Sequence, residues 1–239
     1  MCGIFGIMGT SLASYKKGGV DRALTSLSKR GPDDHGVVFL ENCILGQTRL
    51  SIIDLSSGHQ PMKDNARDNT ITFNGEIYNY RELRKELETM GHSFSTHSDT
   101  EVILKAYYEY GNECPKHLDG MFAFAIWDNK KNQLFMARDR FGKKPFYYTI
   151  DDLGNFIFAS EIKAIFATGK IKGVVDYEVI DNYLTLMYTP PWKTVYKNIK
   201  VVPPASVAIF KNGNIEIKKY WQLKKGETPA TYQEAKEEV

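Results

Sequence analysis

Cysteine is the second residue of the chain, directly after Met1. If Met1 is removed, Cys2 carries a thiol and a free α-amine on the same residue. The amine titrates near ~7.7–8.0 and the thiol near ~8.5 when unperturbed, so each lies within reach of the other's proton at neutral pH. A nucleophile at an N-terminus can use its own amine as the general base. The alternative is that a small residue follows the initiator methionine without any chemical role.

Asn74 and Gly75, at the end of a predicted strand, are suited to stabilising a negatively charged oxygen. Glycine lets a backbone N–H approach a reacting carbonyl closely, and a neighbouring side-chain amide supplies a second neutral donor. Asn-Gly is also the commonest type I′ hairpin turn. Here Glu76 and a predicted helix follow instead of a returning strand. From the residues alone, both interpretations stay open.

Arg49 and Asp99 could bind the charged groups of an amino acid. Arg49 lies in an otherwise apolar strand, and its planar guanidinium pairs with a carboxylate through two hydrogen bonds. Asp99 lies in the first turn of a predicted helix, where a carboxylate complements the helix dipole. A structural ion pair and a helix cap are the respective alternatives. Fixed in one pocket, the two side chains would select free glutamine, asparagine or another α-amino acid.

The composition excludes several classes of partner. Net charge is +2, from 31 basic and 29 acidic residues, so no strong field favours nucleic acid or an anionic membrane. No apolar run approaches the ~20 residues of a membrane span. The three cysteines are odd in number and widely spaced, which argues against a disulfide framework or a metal site. We therefore expect a cytoplasmic protein in a reducing compartment, without a metal.

Two further charged clusters are explained by turn formation and ion pairing at the surface. They are Arg30-Gly31-Pro32-Asp33 and the segment 137–142. The neighbouring pair Lys143 and Lys144 is likewise expected on the solvated surface.

Periodicity predicts the elements that must position these residues. Strands are expected at 3–8, 36–40, 43–46, 49–54, 71–73, 145–149 and 155–160, with hairpins at 121–138 and 206–220. Helices are expected at 20–27, 79–91, 99–110, 161–168 and 176–186, and a polar loop at 56–69. Asn79 with Glu82 and Ser98 with Glu101 are expected capping pairs, and Met90 is expected on a buried helix face. This order of elements argues for antiparallel sheets with helices stacked outside them.

Seven motifs, in order, carry a resemblance to a known family: Cys2-Gly3-Ile4, Arg30-Gly31-Pro32-Asp33, Arg49-Leu50-Ser51-Ile52, Asn74-Gly75-Glu76-Ile77-Tyr78-Asn79, Ser98-Asp99-Thr100-Glu101, Gly120-Met121-Phe122-Ala123-Phe124 and Arg138-Asp139-Arg140-Phe141-Gly142. On these motifs the chain resembles the class II glutamine amidotransferases, and among them the glutaminase domain of asparagine synthetases. Glucosamine-phosphate synthases and phosphoribosyl amidotransferases differ at the second and fourth motifs. The match is close over residues 2–168 and looser to about residue 222.

The resemblance implies an α+β fold, the four-layer αββα sandwich of N-terminal nucleophile hydrolases, in which helices flank two antiparallel sheets. It implies hydrolysis of L-glutamine to glutamate and ammonia through a thioester on Cys2, whose freed amine acts as base. Asn74 (side chain) and Gly75 (backbone N–H) would form the oxyanion hole. The implied substrate-binding residues are Arg49, Asp99 and the backbone around Ile52, Ile53 and Glu76.

The resemblance also implies a domain organisation. Residues 1–222 would form the glutamine amidotransferase domain, with 173–222 as a family-specific extension, and 223–239 would be a linker toward an ATP-dependent synthetase domain. The Ser-Gly-Gly-x-Asp-Ser loop of that domain does not occur in the sequence. ATP and Mg²⁺ are therefore expected only in the synthetase part, and no cofactor in this chain. Residue 47 is Gln where the family more often has His, which is expected to affect packing or tuning.

The implied partners are L-glutamine and a synthetase domain or subunit that accepts the ammonia and amidates aspartate; nucleic acid and membrane are not expected, and a homodimer is compatible with the sequence. Three alternatives stay open. The chain could be a glutamine-binding or docking module whose Cys2 never matures, or a stand-alone glutaminase subunit that serves a different acceptor. It could also be an amidase for another amide, which the pair Arg49 and Asp99 disfavours.

Overall fold

A computed structural model describes residues 1–16, 18–51, 53–54, 57–64, 68–223 and 231–237. The strands in these ranges are β1 Gly3–Met8, β2 Asp34–Phe39, β3 Cys43–Arg49, β4 Met62–Asp64, β5 Asn69–Ile77, β6 Gly120–Asp128, β7 Gln133–Arg138, β8 Tyr147–Ile150, β9 Phe156–Ala159, β10 Lys200–Val201, β11 Ser206–Lys211 and β12 Asn214–Lys219. The α-helices are α1 Ala13–Lys16, α2 Gly19–Leu27, α3 Tyr80–Thr89, α4 Asp99–Tyr110, α5 Ile162–Ala167, α6 Tyr177–Leu186 and α7 Tyr232–Glu237. A 3₁₀ helix, Gly111–His117, continues α4.

The strands form two antiparallel sheets of six strands each. Sheet 1 has the order β10-β8-β9-β1-β3-β2, and sheet 2 has the order β12-β11-β7-β6-β5-β4. The central strands β1, β3 and β6 are almost entirely buried. Strands buried on both faces require a covering layer on each side, which explains the nearly continuous apolar sequences of β1 and β6.

Alternate residues of one strand serve different layers. In β6, Phe122 and Phe124 pack with α3 and α4 on the outer face of sheet 2. Ala125 and Trp127 of the same strand point into the core between the sheets. On the far side, Phe5 of β1 packs with α2 and α5. The four layers αββα, with helices outside two antiparallel sheets, confirm the fold expected from the sequence.

The last part of the chain contributes strands to both sheets. Strand β10 pairs with β8 at the edge of sheet 1. Strand β11 pairs with β7 in sheet 2, and β12 pairs with β11 to form its edge. The segment 173–222 therefore supplies three strands to the same sandwich as residues 3–160.

Several local predictions were wrong. Strand β3 ends at Arg49, and none of the described residues in 50–54 is in a strand, because this stretch turns to face the cavity described below. Strand β4 lies inside the predicted polar loop 56–69 and pairs with β5. Met90 is 47% exposed, since α3 ends at Thr89 and leaves Met90 beyond its buried face.

The two predicted capping pairs had different outcomes. Ser98 caps α4, because its side chain accepts a hydrogen bond from the Thr100 N–H. Glu101 does not complete that capping box and accepts instead from the N–H groups of Ser95 and Thr96. Asn79 makes no capping bond to α3; its side chain accepts from the Asp119 N–H at 2.9 Å and so ties α3 to the start of β6.

Candidate active site

A cavity of about 110 Å³ lies where the two sheets meet at the start of β1, the end of β3 and the middle of β5. Cys2 directly precedes β1 in sheet 1, and Asn74 lies on β5 in sheet 2. Strands β1 and β3 are neighbours in sheet 1, with Gly3 paired to Thr48. The core thus fixes the backbone on both sides of the cavity.

Most of the site residues predicted from the sequence line this one cavity: Cys2, Arg49, Ile53, Asn74, Gly75, Glu76 and Asp99. Ile52, the remaining predicted residue, lies outside the described residues.

Cys2 is partly buried at one wall of the cavity. Its thiol donates to the Leu50 carbonyl, with Sγ 3.6 Å from the oxygen. Burial raises the pKa of the thiol, and the positive charges of the chain-terminal ammonium and of Arg49 act in the opposite direction. Met1 also lines the cavity and is 56% exposed. Removal of Met1 would leave the α-amine of Cys2 in the same cavity as its thiol.

Arg30 holds the backbone of Cys2 in place. Its Nε donates to the Cys2 carbonyl at 2.9 Å, and its Nη1 pairs with Glu161 at 3.1 Å. The ion pairing expected for this motif is present, but nothing in the motif indicated the bond to Cys2. A guanidinium can make both contacts because its donors form a rigid fork. Arg30 thereby connects the turn after α2 to the candidate nucleophile.

Asn74 has an unusual environment. It is 1% exposed, yet neither Oδ1 nor Nδ2 of its side chain has a hydrogen-bond partner among the described residues. A buried amide without partners costs about 1–3 kcal/mol, so such groups are rare unless a ligand satisfies them. The hairpin-turn alternative is wrong, because Asn74 and Gly75 lie inside the nine-residue strand β5.

Glycine is required at position 75 because β5 and β6 approach each other closely there. A Cβ atom at this position would lie 2.2 Å from the Met121 carbonyl oxygen of β6. The absence of a side chain therefore lets the β5 backbone pass directly along the cavity wall beside Asn74.

Arg49 is 5% exposed at the end of β3. Its Nη2 donates to the carbonyls of Ile53 at 2.9 Å and Asp54 at 2.7 Å. A side chain at Gly58 would collide with this guanidinium, since its Cβ would lie 2.4 Å from Nη2. No ion pair between Arg49 and a carboxylate occurs in the part of the chain that is described. The structural ion pair considered above is therefore not what holds Arg49.

Asp99 is 5% exposed and lies opposite, at the start of α4. Its Oδ2 accepts a hydrogen bond from the Ile77 N–H at 3.1 Å. Burial raises the pKa of Asp99 to about 6, and the negative charge of Glu76 acts in the same direction. A buried carboxylate with a raised pKa, next to a second acidic group, provides a site for a cation.

Lys144 was missed by the sequence analysis. It was expected on the surface with Lys143, but it is 4% exposed and lines the cavity, whereas Lys143 is exposed. Neither lysine lies in a helix or strand, so no periodic pattern in the sequence distinguishes the two.

Gln60 was also missed. Its Oε1 accepts from the Phe73 N–H at 2.7 Å and its Nε2 donates to Thr100 Oγ1 at 3.0 Å. Gln60 lines the cavity and links β5 to α4 there. Gln47, noted above as a departure from the family, does not line the cavity. Its Nε2 donates to the Phe73 carbonyl at 2.7 Å, which is a packing role between β3 and β5.

Within the described ranges, no group of three or more His, Cys, Asp or Glu side chains is arranged to hold a metal ion. Likewise, no helix among the described residues is long and apolar enough to span a bilayer. Cys43 and Cys114 are free and fully buried, so Cys2 is the cysteine that faces a cavity.

The arrangement has the parts that transfer of an acyl group requires. It combines a thiol, an unpartnered neutral amide, a guanidinium for a carboxylate and a buried carboxylate for an ammonium. These parts come from two sheets and a helix start.

Comparison with known proteins places this chain in a family. A family model described as "Glutamine amidotransferase domain" matches residues 1–221. The chain is 42% identical over 227 residues to "Asparagine synthetase [glutamine-hydrolyzing] 3" of Bacillus subtilis, covering 93% of this chain and 37% of the relative. It is 40% identical over 250 residues to "Putative asparagine synthetase [glutamine-hydrolyzing] 2" of Methanocaldococcus jannaschii, covering 93% and 47%. The chain therefore spans less than half the length of these curated relatives.

Among solved structures, the chain is similar to the glutamine phosphoribosylpyrophosphate amidotransferase from Bacillus subtilis. The TM-score is 0.68 at 20% sequence identity, covering 93% of this chain and 50% of that chain. At this level of identity the likeness concerns the fold, and it agrees with the two helix-flanked antiparallel sheets described above.

Proposed function

The chain belongs to the glutamine amidotransferase domain family, and from that premise we propose that its cavity hydrolyses the side-chain amide of L-glutamine to glutamate and ammonia. Cys2 is the nucleophile once Met1 has been removed. The observation that carries the proposal is the buried, unpartnered amide of Asn74 in the same cavity as the Cys2 thiol.

In the first step, Sγ of Cys2 attacks the carboxamide carbon of glutamine, and the thiol proton moves to the α-amine of the same residue. The resulting tetrahedral intermediate carries its negative charge on the former carbonyl oxygen. Nδ2 of Asn74 and the backbone N–H of Gly75 stabilise that oxygen. Because Asn74 has no other partner among the described residues, its donor needs no reorganisation when the charge develops.

In the second step, the α-ammonium of Cys2 gives its proton to the amide nitrogen of the intermediate, the carbon–nitrogen bond breaks and the nitrogen leaves as ammonia. A thioester between Cys2 and the γ-carbonyl of glutamate remains. The α-amine then takes a proton from water, and the hydroxide attacks the thioester carbon. Collapse of this second intermediate breaks the carbon–sulfur bond and releases glutamate, and the α-ammonium returns its proton to Sγ of Cys2.

Arg49 and Asp99 bind the amino-acid end of the substrate. The guanidinium of Arg49 pairs with the α-carboxylate, while its bonds to the Ile53 and Asp54 carbonyls keep it in place. Asp99 pairs with the α-ammonium, and Glu76 adds negative charge on the same side. A substrate without either group would leave one of these buried charges unpaired, so it would be rejected.

The ammonia is passed to an ATP-dependent synthetase domain or subunit that amidates aspartate. The curated relatives named asparagine synthetase, which are more than twice as long as the matched region, support this acceptor. ATP and Mg²⁺ belong to that partner and not to the cavity of this chain. We also propose that the protein forms a homodimer and is located in the cytoplasm.

The experiment that tests the proposal compares the mature parent with Cys2→Ala. Intact mass first verifies that Met1 has been removed from both proteins, and ammonia release from L-glutamine is then measured. We expect hydrolysis by the parent and a loss of at least about 10³-fold in Cys2→Ala, because the thioester cannot form. Equal rates would overturn the proposal. Glutamine binding with a retained Met1 and no hydrolysis would favour the binding-module alternative.

A further inference from the structure

Lys144 is the only buried lysine in the described part of the chain. Ammonium groups are almost never buried unless their charge is used or paired. None of the ion pairs formed by the described residues includes Lys144. Its side chain instead lines the cavity that contains Cys2. The proposed reaction, as written above, leaves this charge without a role.

The backbone of Lys144 is held by hydrogen bonds at both its N–H and its carbonyl. Its N–H donates to Oδ2 of Asp139 at 3.0 Å, and its carbonyl accepts from Nε of Arg138 at 2.7 Å. Asp139 is 1% exposed and also accepts from the N–H groups of Phe122 and Lys143. This turn is therefore a rigid support that keeps the stem of Lys144 directed into the cavity.

The charges around Cys2 come from several elements: the chain-terminal ammonium, Arg30 after α2, Arg49 at the end of β3, Glu76 on β5, Asp99 on α4 and Lys144 after β7. A bound amino acid would neutralise two of them, since its carboxylate pairs with Arg49 and its ammonium with Asp99. Arg30 is already paired with Glu161. Lys144 is then the cation that still acts on Cys2 while substrate is present.

We propose that Lys144 is a positioning residue whose ammonium, brought to the cavity by a largely buried side chain, favours both reactive forms of mature Cys2, the thiolate and the neutral α-amine. The inference rests on the proposed function of Cys2. A nearby positive charge stabilises a thiolate and destabilises an ammonium, so it moves both groups in the direction that the attack on the amide requires. One lysine thus supports the nucleophile and the base together.

The electrostatics of Lys144 itself agree with this role. Burial and the neighbouring Arg30 lower the pKa of Lys144, whereas the charges of Cys2, Asp139 and Glu76 raise it. The interaction between Lys144 and the Cys2 thiolate is mutual, so the attraction that stabilises the ammonium also lowers the pKa of the thiol.

The test is the pH dependence of alkylation at Cys2. Mature parent, Lys144→Met, Lys144→Arg and the exposed neighbour Lys143→Met are treated with iodoacetamide between pH 6 and 10. Peptide mass spectrometry follows the modification of Cys2, with the fully buried Cys43 and Cys114 as internal references. We expect the midpoint of the pH profile of Cys2 alkylation to rise by about 0.5–1 pH unit in Lys144→Met. Lys144→Arg and Lys143→Met should stay within about 0.3 unit of the parent.

Several outcomes would overturn the inference. They are a midpoint in Lys144→Met that coincides with the parent, an equal shift in Lys143→Met, or a shift in Lys144→Arg as large as in Lys144→Met. If Lys144→Met melts below the assay temperature, Lys144→Gln replaces it, because its polar end suits a buried site. Alkylation is measured without turnover, so absent glutamine hydrolysis by the parent would count against the proposed function and not against this inference.

Discussion

Among single residues, Asn74 has the clearest cost in stability, because its side chain is unpaired among the described residues. Its amide is buried and forms no hydrogen bond within the described chain. A group in that state lowers the free energy of unfolding by about 1–3 kcal/mol relative to a satisfied one. Sites of catalysis tolerate such costs, because a donor left unpaired in the resting protein is available to the developing charge.

Asn74→Ala should therefore reduce kcat for glutamine hydrolysis by about 10²–10³-fold, with KM changed only a few-fold. The reason is that Asn74 binds the oxygen mainly after it has become charged. Steady-state ammonia release measures both constants. Asn69→Ala is the matched control, since Asn69 is buried in the same strand but does not line the cavity. A fall in kcat of the same size in Asn69→Ala would show that the effect is structural.

Because of Asp99, the binding of glutamine should depend on pH, in a direction that follows from the raised pKa of this residue, about 6. The α-ammonium of glutamine binds the ionised carboxylate, and ionisation increases as pH rises through 6. The dissociation constant should therefore fall about tenfold from pH 5 to pH 7 and then level off. Calorimetric titration of the inactive Cys2→Ala protein with L-glutamine measures this.

Asp99→Asn supplies the control for that titration. The variant should bind more weakly at neutral pH, and its dissociation constant should not vary between pH 5 and pH 7. A parental slope retained in Asp99→Asn would assign the titration to a group other than Asp99.

At the scale of elements, β3 and β5 face each other across the two sheets and exchange side-chain hydrogen bonds. Nε2 of Gln47 donates to the Phe73 carbonyl at 2.7 Å, and Oγ1 of Thr72 donates to the Gly46 carbonyl at 3.1 Å. These reciprocal bonds fix the distance between the sheets next to Asn74. They also explain how a glutamine serves at position 47, because its long amide reaches the opposite backbone.

The turn after β7 is a second element that positions a residue of the cavity. The buried carboxylate of Asp139 accepts hydrogen bonds from the N–H of Phe122 in β6 and from the N–H groups of Phe141, Lys143 and Lys144 in the turn. The turn therefore closes against β6 and brings Lys144 to the cavity. The Arg-Asp-Arg-Phe-Gly motif is explained in this way as a support for a neighbouring residue.

At the scale of the whole molecule, the core between the sheets connects early and late parts of the chain. Phe210 on β11 is 2% exposed and stacks on Phe156 of β9, with ring centroids 4.8 Å apart. Strand β11 belongs to sheet 2 and β9 to sheet 1. The segment that follows residue 172 thus takes part in the packing that holds the two sheets together.

Phe210→Ala should lower the free energy of unfolding of the whole domain by about 3–5 kcal/mol, because it leaves a cavity between the sheets. Urea unfolding followed by tryptophan fluorescence measures this, in a background in which Trp192→Phe and Trp221→Phe leave the buried Trp127 as the fluorophore. Ile217→Ala, at a 38% exposed position on the neighbouring β12, should cost only about 0.5 kcal/mol. An unchanged Trp127 transition in Phe210→Ala would mean that the late segment unfolds independently.

The sequence by itself determined most elements and their antiparallel arrangement with helices outside, because burial imposes a period on each strand and helix. The four-layer fold was implied by the resemblance that the motifs carry. The apolar runs of β1, β6 and β7 and the helical spacing of α2 and α4 are set locally. The misplaced elements, β4 and the end of α3, are short or terminal pieces whose state depends on a partner strand or on the layer that they reach. The candidate residues Cys2, Arg49, Asn74, Gly75 and Asp99 were also identified from residue types and motifs.

Only the tertiary structure decided which groups are free to act. The sequence cannot show that Arg30 binds the carbonyl of Cys2, that Asn74 lacks a partner among the described residues, or that Lys144 is buried while Lys143 is not. Each of these facts depends on contacts between residues far apart in the chain. Side-chain pairing and burial are properties of the packed sheets, and they do not exist before the sheets have come together.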